Sequence, residues 1–205
     1  MSSSKKEIVS LLSNIERDGI NNLIKFLKES TFFEDPASCQ DHNPYRGGLA
    51  DHSLNTYKLL NSLIRKHATV SEDKVFTDSI KIIGLLHDIN KIGTFQKVMK
   101  NVPLKGPDGK NRKKENGRLI FIEKESYEPL PKNNLPYLPG HLSTIMLKEY
   151  IKLTKLEDLS IYWADALSQD YVDKHLLFRA QKINRVILFT QFAKKEAKLF
   201  QNITI

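Results

Sequence analysis

Between Lys5 and Leu27 apolar residues recur at three- and four-residue steps, first Ile8, Leu11, Leu12 and Ile15, then Ile20, Leu23, Ile24 and Leu27, with Arg17-Asp18-Gly19 between the sets. That spacing places each set on one face of a helix and predicts two short amphipathic helices within residues 5–30. From Phe32 to Gly48 the period disappears and turn formers dominate, which predicts an ordered loop. A helix follows from about Leu49 to His67, with Leu49, His52, Leu59, Leu60, Leu63 and Ile64 on its apolar side. Another runs from about Ser71 to Asn90, where Ser71, Glu72 and Asp73 suit a helix start because a side-chain oxygen caps free amides and acids favour the positive end of the dipole.

The period then changes. KVMKNVPL and RLIFIEKES read as two strands around the polar, glycine-containing KGPDGKNRKKENG, which predicts one β-hairpin at about 95–126. YEPLPKNNLPYLPG beyond it is extended, because each proline biases its predecessor away from the helical region. Helices resume at about His141 to Ile151, at Lys155 to Leu167, where Thr154 and Glu157 match a capping box, and at Lys174 to Gln201. The expected fold is mainly α, a single domain over residues 1–205 interrupted by one hairpin.

Composition narrows the chemistry. The 205 residues are 40% apolar, enough for a packed core. No stretch approaches the roughly 18 to 20 apolar residues of a membrane helix, and MSSSKKEIVS lacks the apolar block of a secretory signal, so a soluble, cytoplasmic protein is expected. Cys39 is the sole cysteine, which excludes an internal disulfide and a thiolate-rich zinc site, so any metal must be held by His and carboxylate. The net charge of +8 favours anionic partners such as a nucleotide or nucleic acid. Much of it lies in the predicted hairpin and at Lys194, Lys195 and Lys198, for which a solvated face is the plain reading and a nucleic-acid groove the alternative.

The residues with chemical potential sit at helix ends. GLLHDINKIG joins His87 to Asp88, which project about 100° apart on a continuous helix and reach one ion only at its edge or end, with ligands from other elements. His52 near the start of its helix, His141 after LPG and His42 in the loop before Gly47-Gly48 are candidates, each with a plainer reading as a hydrogen-bonding or surface histidine. Imidazole and carboxylate suit Mn²⁺, Fe²⁺, Co²⁺, Zn²⁺ or Ni²⁺, which would supply hydroxide near neutral pH and polarise a phosphoryl oxygen.

RGGLADHSLNTYKLL followed by IIGLLHDINKIG resembles the HD-domain phosphohydrolase superfamily, whose pattern is H…HD…D on a helical bundle. With FFEDPASCQDHNPYRGGLADHSLNTYKLL, LPGHLSTIMLKEYIKLT and LEDLSIYW the chain looks most like the phage- and prophage-type HD hydrolases, over most of residues 20–165. The resemblance implies His52, His87 and Asp88 as metal ligands, with His42 and His141 serving a second metal or the phosphate. It implies catalytic roles for Asp88 and Lys91, with Lys91 on a phosphate oxygen.

Two departures stand out. Ala164 occupies the place of an expected histidine, and in AKKEA Lys194 stands where the final carboxylate belongs. Lys194 would then remove the metal by pairing with Asp88 and leave a cationic pocket for phosphate, unless Asp165, Asp170 or Asp173 supplies the oxygen, Asp165 first among them. Three functions follow: a metal-dependent phosphohydrolase of a nucleotide or phosphomonoester; a degenerate HD protein that binds a nucleotide or a host protein without turnover, in host cytoplasm if phage-encoded; and a basic nucleic-acid-associated protein.

Overall fold

A computed structural model describes residues 3–67, 73–106, 118–131, 137–169 and 172–199. Eight helices and one two-stranded antiparallel sheet make up these residues, so the fold is mainly α with an inserted hairpin. The two N-terminal helices, α1 (Ser3–Ser13) and α2 (Ile20–Glu29), bury Ile8 and Leu12 and then Ile20, Leu23, Ile24 and Leu27, the face set by their sequence period. Gly19 between them has φ +82, and a Cβ there would meet the Tyr150 carbonyl oxygen at 1.8 Å, so the connection requires glycine.

The centre is formed by α3 (Gly48–His67), α4 (Lys74–Leu86) and α8 (Arg185–Leu199), with α3 packed against both partners. Leu49, Leu60 and Ile64 meet Ile82, Ile83, Leu85 and Leu86 in one buried cluster that includes Ala193 and Ala197 of α8. Each of the larger side chains contributes about 1.5–3 kcal/mol by leaving water. Gly84 sets the distance between α3 and α4: a Cβ there would lie 2.5 Å from the Tyr57 Cα. No helix of the described residues is long and apolar enough to cross a membrane.

Three predicted boundaries are corrected. The helix expected over 71–90 is capped by the Asp73 side chain on the Val75 amide and stops at Leu86; Ser71 and Glu72 lie outside the described residues. The one expected over 155–167 ends at Tyr162, leaving α6 (Lys155–Tyr162) with its capping box in place. The long final helix is two, α7 (Lys174–Ile183) and α8, because Asn184 adopts an extended conformation and its side-chain oxygen accepts from the Val186 amide. An Asx cap outweighed the continuous apolar pattern across it.

The strands β1 (Phe95–Pro103) and β2 (Phe121–Pro129) pair from Phe95↔Pro129 to Pro103↔Phe121. The second strand therefore takes in the Tyr-Glu-Pro expected only to be extended, while residues 107–117 of the connection lie outside the described residues. Among the described residues of the hairpin, Tyr127 alone is buried. After it comes α5 (Pro139–Lys148).

Glu157 is the polar joint of the bundle. Fully buried, it accepts from both Arg17 guanidinium nitrogens (2.8 and 2.9 Å), the Ser79 hydroxyl (2.7 Å) and the Thr154 amide (2.8 Å), joining the α1–α2 connection, α4 and α6. Burial alone would raise its pKa, but Arg17, Ser79 and Thr154 hold it below the usual value. Glu157→Ala leaves the Arg17 charge unpaired, and breaking a buried pair from one side costs about 3–5 kcal/mol. Urea unfolding at neutral pH is expected to show a loss of that size; a loss under about 1 kcal/mol, as for a surface pair, would remove Glu157 from this role.

Candidate functional site

Helix α4 ends at the residues with the chemistry. His87 keeps helical dihedrals (φ −59, ψ −27) as the C-cap, and Asp88 departs (φ −108, ψ 19) into the short 3₁₀ turn Ile89–Lys91. That break brings together side chains that would diverge on a continuous helix, and His87 Nε2 lies 3.5 Å from Asp88 Oδ2. The Ser143 hydroxyl of α5 fixes the turn from outside, donating to the His87 carbonyl at 2.8 Å. Asp35 in the preceding loop fastens its other end: its backbone carbonyl accepts from the Leu49 amide at the start of α3 and its carboxylate from the Gly93 amide.

From α3, His52 Nε2 reaches within 3.6 Å of the same Asp88 oxygen. The donor atoms of His52, His87 and Asp88 all lie within 4.8 Å of one another, and all three residues are fully buried. The His87 Nδ1 faces the Gly84 carbonyl at 3.0 Å; assigning the proton to that nitrogen leaves the Nε2 lone pair directed at the cluster. Among the described residues, neither His87 Nε2 nor either nitrogen of His52 has a hydrogen-bond partner. Burial pushes His87 down to about 4 and His52 well below its ordinary value, so both are neutral at physiological pH.

The cations decide the character of the site. Lys194, on the buried face of α8, is 2% exposed, and its ammonium lies 2.5 Å from Asp88 Oδ1 and 2.6 Å from Asp165 Oδ1. Lys91 Nζ is 2.8 Å from Asp88 Oδ2 and donates to the Ala37 carbonyl at 2.9 Å. Burial alone would raise Asp88, yet Lys194 and Lys91 outweigh it and hold the carboxyl well below the usual range. Burial would likewise discharge Lys194, and Asp165 and Asp88 keep it charged. Asp165 is held in place by the helix behind it, since the Gln191 amide of α8 donates to the Trp163 carbonyl at 2.7 Å.

A similarity search finds a 3'-5' exoribonuclease YhaM of Shouchella clausii (strain KSM-K16), 27% identical over 89 residues. The match covers 42% of this chain and 26% of that relative, so the chain spans about a quarter of the protein it matches. Similarity and geometry together fit an HD-type superfamily. They also fit a metal-dependent hydrolase in general. No family model and no solved structure matches the chain.

Within that HD-type frame the donor set and the charge set disagree about a metal. Two neutral imidazoles with unpartnered nitrogens beside a carboxylate are a ligand set that can bind a divalent ion. The charges are those of a site already neutralised: each Asp88 oxygen faces an ammonium, and Lys194 bridges the two carboxylates as a cation would. With Lys194 in this position a dication would share the Asp88 carboxylate with two ammonium groups.

Of the sequence candidates, His52, His87, Asp88, Lys91, Lys194 and Asp165 converge, and His42 joins them, with 5% exposure and its ring 4.8 Å from that of His52. His141 lies between Tyr137, edge-on at 4.9 Å, and Tyr162, tilted at 5.3 Å, outside the metal-competent cluster. Asp173 caps α7, and Asp170 lies outside the described residues. The reading of Lys194, Lys195 and Lys198 as one solvated face is corrected: Lys194 is buried, Lys198 half-buried and Lys195 exposed. Sequence reasoning missed Lys198 as a site residue, although its spacing of four from Lys194 puts it on the same helical face.

Lys194→Met removes the shared partner of the buried Asp88 carboxylate and the half-buried Asp165 carboxylate, and the expected loss is about 3–5 kcal/mol at pH 7. Asp88 and Asp165 have lowered folded pKa values, so in the wild type they stabilise the fold above the unfolded carboxylate pKa, and the contribution fades as pH falls below it. The gap between variant and wild type in urea melts is therefore expected to hold from pH 7 down to about pH 4, near the unfolded Asp pKa, and to narrow below it. Equal stability at pH 7 would show that Lys194 is not engaged as described.

Proposed function

We propose that this chain is a phosphate-binding protein on an HD-type hydrolase scaffold, taking a nucleotide or related phosphomonoester without metal-dependent turnover. The observation that carries this reading is the Lys194 ammonium between Asp88 and Asp165, at the point of the cluster where charge calls for a cation. The cluster's remaining groups suit a phosphate: neutral imidazoles with unpartnered nitrogens, and lysines that can donate to oxyanions. The relative's activity supports a nucleotide substrate class and adds the 3′ end of RNA to it.

A second reading, metal-dependent hydrolysis of the same class of phosphoester, is favoured by the unpartnered Nε2 atoms of His52 and His87. Metal analysis of the purified protein, phosphate release from nucleotides with Mn²⁺, Co²⁺ or Ni²⁺, and calorimetry with the same nucleotides separate the two. The expected outcome is less than stoichiometric metal, no metal-dependent release, and binding that weakens with salt. Lys194→Asp, which restores a carboxylate, is expected to retain Co²⁺ near one equivalent. Stoichiometric metal in the wild type together with Mn²⁺-dependent release would establish the second reading instead.

A further inference from the structure

Helix α8 has two different faces. Its buried side turns Ala193, Lys194 and Ala197 toward the bundle. On the other side Arg185, Leu188, Phe192, Lys195 and Leu199 follow one another at steps of three, four, three and four residues. At about 100° per residue these positions fall within roughly 80° of one another, a straight seam along the helix. The seam is open: Phe192 is 49% and Leu199 69% exposed, Arg185 and Lys195 are exposed, and Leu188 is half-buried. A lone apolar residue on a surface is ordinary, whereas Leu188, Phe192 and Leu199 share the spacing that seats one helix against another.

The charges of the seam narrow the partner. Together α7 and α8 hold seven lysines and arginines and one acid, Glu196. Elsewhere on the surface several lysines are answered by carboxylates, as in Lys58–Glu7 at 2.9 Å, Lys100–Glu128 at 2.8 Å and Lys148–Asp158 at 2.8 Å. Among the described residues Arg179, Lys182, Arg185 and Lys195 make no ion pair, and Lys182 lies instead over the Phe178 ring at 4.6 Å. A second copy of the chain would set these cations against their own kind, which opposes association. A helix lying in a lipid surface keeps its cations on the polar face, whereas Arg185 and Lys195 stand in line with the apolar side chains. A nucleic-acid strand stacks its bases on rings, and Leu188 and Leu199 offer none. A partner helix of the same spacing answers both kinds of position at once, with apolar side chains against Leu188, Phe192 and Leu199 and carboxylates against Arg185 and Lys195.

We infer that the outer face of α8 is the docking surface for an acidic amphipathic helix of a partner protein. The surface lies on the far side of the helix from Lys194 and stands without the phosphate-binding reading.

Calorimetry of the full chain with two three-heptad helical peptides tests it. Both carry leucine at the a and d positions, one with glutamate and the other with lysine at e and g, where like charges keep each peptide from pairing with itself. The glutamate peptide is expected to bind, less tightly as salt rises, and the lysine peptide to bind at least about tenfold more weakly. Phe192→Asp is expected to weaken the glutamate peptide at least about tenfold, as loss of an apolar anchor does, while keeping the wild-type circular dichroism. Arg185→Glu combined with Lys195→Glu is expected to reverse the preference toward the lysine peptide, which a merely structural role for these residues would not do. Equal binding of the two peptides, or no binding of the glutamate peptide, would overturn the inference. So would a dimer in sedimentation that Phe192→Asp dissolves, which makes the occupant a second copy. Vesicles containing phosphatidylserine, or poly(U), bound more tightly than the glutamate peptide and released by Phe192→Asp would overturn it in favour of a lipid surface or a nucleic acid.

Discussion

A buried carboxylate with no exposure to water is the constraint around which the centre is arranged. Asp88 is fully buried at the break after α4, and an ion taken out of water carries a penalty of several kcal/mol unless compensated at close range. Compensation comes from both ends of the chain's site: Lys91 from the same turn on one oxygen, Lys194 from α8 on the other. The second of these constrains the packing. Lys194 reaches Asp88 because α8 runs against α3 with Ala193 and Ala197 on its buried face, small side chains that bring its backbone close to the bundle. The ion pair and the helix packing are therefore one requirement, since a bulkier buried face on α8 would draw the ammonium away from its carboxylates.

The same constraint sets the protonation of the histidines. With two ammonium groups already on Asp88, a third positive charge on His52 or His87 would be poorly compensated in a dry interior, and burial keeps both neutral. Neutral imidazole is the form that binds metals, so the histidines are in a metal-competent state while the cation position is filled by the chain itself. A metal-type ligand set and a lysine ion pair thus share one carboxylate. That is why the donor atoms, read alone, point to a metal, and the ion pairs, read alone, point away from it.

How far the sequence carried this picture depends on the range of the interactions. Local patterns were legible: the period of Ile20, Leu23, Ile24 and Leu27, the Thr154–Glu157 capping box and the antiparallel hairpin all depend on neighbours a few residues apart. The end of α4 and the break at Asn184 were not, because an apolar run continues across each while a cap or turn interrupts the backbone. In the site, the adjacent His87 and Asp88 signalled their chemistry, and Lys194 drew notice through a resemblance to a pattern it departs from. Its contact with Asp88 spans 106 positions and its contact with Asp165 joins two further elements, which periodicity does not encode. Lys198 escaped notice because a lysine in a lysine-rich helix carries no composition signal; only burial distinguishes it from exposed Lys195.

Lys194 also changes what a ligand would meet. A metal held by exchangeable coordination can leave or bring its own water, whereas an ammonium on a covalent stem remains with the fold and orders the carboxylates before anything binds. Asp88 and Asp165 are then fixed by contacts of 2.5 and 2.6 Å rather than left to repel one another, and the α8 backbone that carries Lys194 is itself tied to Trp163 through Gln191. Groups ordered in this way before a ligand arrives lose little conformational entropy when one binds.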